Sequence, residues 1–152
     1  MEAIEPAFIN SSSKPLIDIV ELGSGTGKFG ESLSRYIYSS SATSSPVFLH
    51  RPRKLLSTEP DSQSIAKMQT KYAYLQQATS HRLKLETLKA RAENMPLPDS
   101  CARVVVCANS LHWFSNEKSM REIHRVLMPN GILGSLYNAS FDLLRIILLL
   151  IY

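Results

Sequence analysis

Residues 17–30 constrain this chain more than any other stretch. They read Ile-Asp-Ile-Val-Glu-Leu-Gly-Ser-Gly-Thr-Gly-Lys-Phe-Gly, an apolar run that ends on an acid, turns through glycines and enters a helical pattern. Four of the six glycines in the whole chain fall between residues 23 and 30. Glycine reaches positive φ without a steric cost and has no Cβ, so the chain can turn sharply and a ligand can approach its backbone. A helix that follows directly points its free N–H groups at the same place. A buried strand, a tight turn and a helix N-terminus together suit a nucleotide-like cofactor.

The spacing of the glycines decides between cofactors. A phosphate loop needs four residues between its first glycine and a Gly-Lys-Ser/Thr end. Here Leu22 stands where that first glycine belongs, and Phe29 stands where the magnesium-binding hydroxyl belongs. The dinucleotide pattern G-x-G-x-x-G is met by Gly25, Gly27 and Gly30. The apolar run ends at Leu22, however, so the turn should open at Gly23 and not at Gly25. A third register starts at Gly23 and reads Glu21-Leu22-Gly23-Ser24-Gly25-Thr26-Gly27, with a carboxylate at the strand end.

Elsewhere the chain alternates strand and helix patterns. Residues 16–22 read as a buried strand and 27–38 as a helix with Phe29, Leu33 and Ile37 on one face. Residues 54–59 read as a second strand, followed by a helix carrying Ile65, Met68, Tyr72 and Leu75. Residues 82–90 alternate as a third strand. Residues 103–108 are apolar and β-branched on both faces, as in a parallel strand covered on both sides. A helix is expected over 115–127, a turn at Pro129-Asn130-Gly131 and a fifth strand over 132–137. This order predicts an α/β, Rossmann-like, doubly wound and mostly parallel sheet. Its ligand should sit outside the C-terminal strand ends. At 152 residues the chain is expected to hold one domain, residues 15–138, after a polar lead-in at 1–14 and before an apolar tail at 139–152.

Glu21-Leu22-Gly-x-Gly-x-Gly resembles motif I of the class I S-adenosylmethionine-dependent methyltransferases, and four later segments match that family in order. They are Glu59-Pro60, Ala92-Glu93-Asn94-Met95-Pro96-Leu97-Pro98-Asp99, Ala108-Asn109-Ser110-Leu111-His112-Trp113-Phe114, and Glu122 to Leu133 with its Arg-Val-Leu-Met-Pro-Asn-Gly core. The His-Trp-Phe after the fourth strand is similar to the small-molecule subgroup labelled type 11. The resemblance implies S-adenosylmethionine as cofactor and a small-molecule methyl acceptor. It implies that Glu21 meets the methionine amino group, that Gly23, Ser24, Gly25 and Gly27 give the loop its close approach, and that Glu59 takes the ribose. Ala92 and Glu93 would lie by the adenine, and Asn109 by the reacting end. A carboxylate suits this cofactor, which carries an ammonium and a sulfonium. His112 is the one histidine placed to act as a base, since its ordinary pKa lies near neutrality; the plainer expectation has His112 and Trp113 shaping the pocket wall. The alternatives are a cofactor-binding but inactive truncated form and an NAD-type dinucleotide-binding oxidoreductase.

Two departures from the family bear on this. The 36 residues from Gly23 to Glu59 exceed the usual spacing, and the Ser-rich stretch 39–46 and the basic loop 50–54 account for the excess. The tail 139–152 does not resemble the family, whose seven-stranded sheet would lack its last strands here. Its apolar run is too short to span a membrane. It is expected to pack beside strand five or to lie exposed and open to self-association. The net charge of +4 is mild and gives no sign of a nucleic-acid partner. Cys101 and Cys107 lack zinc or disulfide spacing, and no metal is expected. Without a signal-peptide pattern, a cytoplasmic location is the default expectation.

Overall fold

Apolar residues without a breaker before Gly23 make Ile17–Leu22 the first strand, β1. The structure, a computed structural model, describes residues 17–39, 52–78, 83–139 and 143–150. After β1 come α1 (Lys28–Ser39), β2 (Lys54–Glu59), α2 (Ser62–Ala78), β3 (Lys84–Lys89) and β4 (Ala102–Ala108). A 3₁₀ turn (Leu111–Trp113), α3 (Glu117–Val126), β5 (Leu127–Ala139) and β6 (Leu143–Leu150) follow. The expected lead-in at 1–14, residues 40–46 of the Ser-rich stretch and residues 50 and 51 of the basic loop lie outside the described residues.

The six strands lie in the order β3-β2-β1-β4-β5-β6. The first five are parallel, and β6 runs antiparallel to β5. The chain winds outward from β1 in one direction and from β4 in the other, so the topological switch lies between β1 and β4. Open sheets of this kind leave a crevice there, at the C-terminal strand ends.

Both faces of the sheet are covered. On one side Met68, Tyr72 and Leu75 of α2 pack on Ile19, Leu55, Leu85 and Val106. On the other, Ile123 and Val126 of α3 pack on Val20, Val105 and Leu133. Each fully buried aliphatic side chain of this kind contributes about 1.5–3 kcal/mol. Asp18 interrupts the apolar run of β1 for a reason. Its Oδ2 accepts from the N–H groups of Arg53 and Lys54 at 2.9 and 3.1 Å and so fixes where β2 begins.

Two segments that look separate in sequence meet in one clamp. Residues 95–99 have no regular structure and are tied down by α3. The Arg125 guanidinium donates to the carbonyls of Met95 and Leu97 at 3.0 and 2.8 Å and to Asp99 at 2.6 Å. It also pairs with Glu122 at 2.7 Å, whose Oε1 accepts from the Met95 N–H at 2.7 Å.

One expectation changes, and one open choice is decided. The fifth strand starts at Leu127, five residues early, and carries Pro129-Asn130-Gly131 as a bulge instead of following a separate turn. Proline has no N–H to give the ladder and Asn130 sits at φ 63°, so these residues loop out between the pairs Ala102–Leu127 and Val104–Ile132. Residues 143–150 of the apolar tail form a strand: β6 pairs with β5 from Ile132–Leu150 to Ala139–Leu143, so β5 has a neighbour on its far side.

Candidate active site

A cavity of about 700 Å³ opens at the switch point, within the range of small-molecule sites. Its floor is the glycine turn, which begins at Gly23 directly after β1, the register of Glu-x-Gly-x-Gly-x-Gly. The turn is braced from β2. The Ser24 N–H and hydroxyl both donate to the Thr58 carbonyl at 3.0 Å. Glu59 accepts from the Gly25 N–H at 2.9 Å and from the Asp61 N–H at 3.1 Å. On the β4 side, the Ser110 hydroxyl donates to the Leu22 carbonyl at 2.5 Å.

Two loop glycines serve different ends. Gly23 has φ 64°, and a Cβ there would lie 2.7 Å from that of Ser110. Gly25 has φ 53°, and a Cβ there would meet nothing within 4 Å. The space beside Gly25 belongs to the cavity, so this is where a ligand can come against the backbone.

Glu21 is the most unusual group at the site. It is 1 % exposed, and its Oε2 accepts from the Ser57 hydroxyl at 2.7 Å. The Tyr72 hydroxyl lies 2.7 Å from that of Ser57. No cation pairs with Glu21 among the described residues. Burial pushes its pKa up to about 7, against the smaller opposing effect of the Ser57 hydrogen bond. Burial likewise pushes the Cys107 thiol up to about 12, so it is an inert core thiol.

Glu21, Gly23, Ser24, Gly25 and Asn109 all line the cavity. Asn109 reaches it through a left-handed residue, φ 55°, at the end of β4. The remaining sequence candidates lie outside this wall. Gly27 turns the chain into α1 at φ 76° against Met68. Glu59 meets the turn through Gly25, and each of its carboxylate oxygens keeps further acceptor capacity. Ala92 is buried, and Glu93 accepts from the Asn116 side chain at 3.2 Å, both in the β3–β4 connection. His112 stands at the rim in the 3₁₀ turn, its ring 5.0 Å from that of Trp113 and 6.2 Å from that of Tyr137. Tyr137 lines the cavity, as do Lys28, Phe29 and Ser32, none of which the sequence singled out for this site. The usable signals were the four-residue spacing of Lys28 and Ser32 and the place of Tyr137 at the C-terminal end of β5.

A methyltransferase-domain family model matches residues 20–134, most of the chain, and the chain belongs to that family. The cofactor of this family is S-adenosylmethionine. An uncharacterized methyltransferase-like protein of Schizosaccharomyces pombe is 29 % identical over 124 residues, 82 % of this chain and 39 % of its own length. The chain thus spans well under half the length of this curated relative. The crystal structure of a SAM-dependent methyltransferase from Aquifex aeolicus superposes with a TM-score of 0.60 at 20 % identity, covering 82 % of this chain and 57 % of its own. The [4+2]-cyclase SpnF superposes with a TM-score of 0.61 at 22 % identity, over 82 % and 39 %. These likenesses show the fold, and the cyclase illustrates that one fold hosts more than one reaction.

Proposed function

We propose that this domain binds S-adenosylmethionine in the switch-point cavity and transfers its methyl group to a small-molecule acceptor. The observation that carries this is Glu21, a buried carboxylate on the cavity floor with no cation partner among the described residues. The cofactor's cationic methionine end supplies that partner, and the open space at Gly25 takes the approach of the ligand to the backbone.

When bound, the cofactor supplies an activated methyl group and its own leaving group. The chain's residues bind, orient and exclude water. Glu21 holds the amino group, directly or through a water. Glu59 offers its free lone pairs to the ribose hydroxyls, Ala92 and Glu93 border the adenine, and Asn109 borders the reacting end. His112 and Trp113 form the rim on the acceptor side. A His112→Ala variant that binds cofactor normally and keeps full turnover would exclude His112 as a base.

Calorimetric titration with S-adenosylhomocysteine tests the binding. Micromolar affinity that falls at least tenfold in Glu59→Ala supports both the cofactor and the ribose contact. A folded, monodisperse sample that does not bind overturns the proposal. A second reading, binding without turnover, is favoured by Trp113, which is 80 % exposed beside His112, whereas methyl transfer needs water kept out. Binding of S-adenosylhomocysteine with no product from any acceptor in a broad screen selects it.

The acceptor is read as a small molecule and not a nucleic acid because the charge is mild and no basic run among the described residues lines the cavity. A reducing, cytoplasmic setting agrees with two buried, free cysteines. No helix among the described residues is long and apolar enough to cross a membrane. β6 is the edge strand of the sheet among the described residues, and self-association through this apolar strand is tested by sedimentation of the chain against an Ile147→Lys variant.

A further inference from the structure

Lys28 follows the last glycine of the turn, and no phosphate-loop role explains it, because Leu22 and Phe29 break that pattern. It opens α1 and lines the cavity together with Ser32, one helical turn further on. Lys28 is exposed and, among the described residues, has neither an ion-pair nor a hydrogen-bond partner. Its neighbours differ: Arg35 and Lys71 both pair with Glu31 on α1, at 3.0 Å each. Glu31 is thus occupied by two cations, while Lys28 is left facing the cavity.

The charges of the wall complete the case. Among the residues that line the cavity, Glu21 and Lys28 are the ionisable carboxylate and the ammonium. One stands at the end of β1 and the other at the start of α1, with the glycine turn between them. That is the charge pattern of an amino-acid end group, whose ammonium and carboxylate sit on one carbon. The N-terminus of α1 adds its free N–H groups on the carboxylate side.

We propose that Lys28 holds the carboxylate of the cofactor's methionine end, with the Ser32 hydroxyl as a second donor to it. This rests on the assignment of S-adenosylmethionine to the cavity. Glu21 and Lys28 then divide the zwitterion between them and set which way the methionine end lies. Lys28 is a binding and positioning residue, with no part in bond making.

The test compares two ligands on the natural chain and on Lys28→Met. S-adenosylhomocysteine carries the amino-acid end; 5′-methylthioadenosine shares the adenosine and thioether but lacks it. The expected result is a roughly tenfold weaker Kd for S-adenosylhomocysteine in Lys28→Met and an unchanged Kd for methylthioadenosine. Lys28→Arg should recover most of the loss, and Ser32→Ala should weaken only S-adenosylhomocysteine, by about twofold to threefold. Lys28 is exposed, so the thermal midpoint of the variant should match that of the natural chain. Equal weakening of both ligands, or no weakening of S-adenosylhomocysteine, overturns the role of Lys28 while leaving the cofactor in place. If the natural chain binds neither ligand, the cofactor assignment falls and takes the role of Lys28 with it.

Discussion

Glu21 and Glu122 both hydrogen-bond within the fold, yet their surroundings oppose each other. At the clamp, Arg125 holds Glu122 below the usual carboxylate range, and the pair secures residues 95–99. At the cavity floor, Glu21 has hydroxyl support from Ser57 and no cation, and burial raises its pKa to about 7. The clamp carries its own cation, Arg125, and serves the fold. The floor leaves one charge uncompensated at the place where a cationic ligand is expected. A structural carboxylate brings its own counter-ion, whereas a binding carboxylate leaves that place to the ligand.

The largest effect that could break this contrast is on Glu21 itself. Below about pH 4.5 the carboxyl is protonated in both folded and unfolded chains and costs the fold nothing. Between 4.5 and about 7 the unfolded chain ionises while the folded chain stays protonated, so stability falls as pH rises. Above 7 both are ionised and the loss levels off at about 3 kcal/mol. Glu21→Gln should therefore match the natural chain at pH 4 and exceed its stability at pH 8 by about 2–3 kcal/mol in denaturant unfolding. It should also bind S-adenosylhomocysteine at least tenfold more weakly. A variant that loses stability at pH 8 would place Glu21 with the structural carboxylates.

The clamp should respond in the opposite sense. Arg125→Met removes the donor to Met95, Leu97, Asp99 and Glu122 at once. About 2 kcal/mol of stability should be lost at pH 7, with the Kd for S-adenosylhomocysteine within about threefold of the natural chain. Loss of affinity far beyond that would mean that the clamp and the cofactor site are one unit.

The contrast also separates what the sequence shows from what it hides. β1, the turn and α1 are legible because strand, acid, glycines and helix are neighbours in the chain, and local chemistry decides them. The β-branched run of β4 announces a strand covered on both sides. The support of Glu21 is not legible: Ser57 and Tyr72 are 36 and 51 residues away, and their types are common in any surface helix or strand. The same holds for the clamp, whose arginine and carbonyls are nearly 30 residues apart. Pro129-Asn130-Gly131 signals a chain reversal, but β4 holds the ladder on both sides and turns the signal into a bulge. The tail has no period from which to choose strand or helix, and pairing with β5 supplies the choice.

Two smaller effects sharpen the picture of the floor. If a cationic ligand supplies the missing partner of Glu21, binding keeps the carboxylate ionised and releases a proton below pH 7. Affinity for S-adenosylhomocysteine should then rise about tenfold from pH 6 to pH 8, with no such rise in Glu21→Gln. A flat profile in the natural chain would show that Glu21 does not sense the ligand. The second effect concerns Tyr72. Ser57 has one hydroxyl hydrogen, and it points at Glu21, so the Tyr72 hydroxyl must donate to Ser57. The phenol thus polarises Ser57 toward the carboxylate from a distance. Tyr72→Phe keeps the ring packed in the α2 core and removes only that donor. It should cost about 1 kcal/mol in thermal unfolding at pH 8 and less at pH 4. At pH 4 the protonated Glu21 can itself donate to Ser57, which can turn its hydrogen elsewhere, and the missing phenol is felt less. The same substitution should move the midpoint of the pH–affinity profile upward, because an ionised Glu21 with a weaker donor is harder to hold. An unshifted midpoint would confine the support of Glu21 to Ser57 and leave Tyr72 as packing alone.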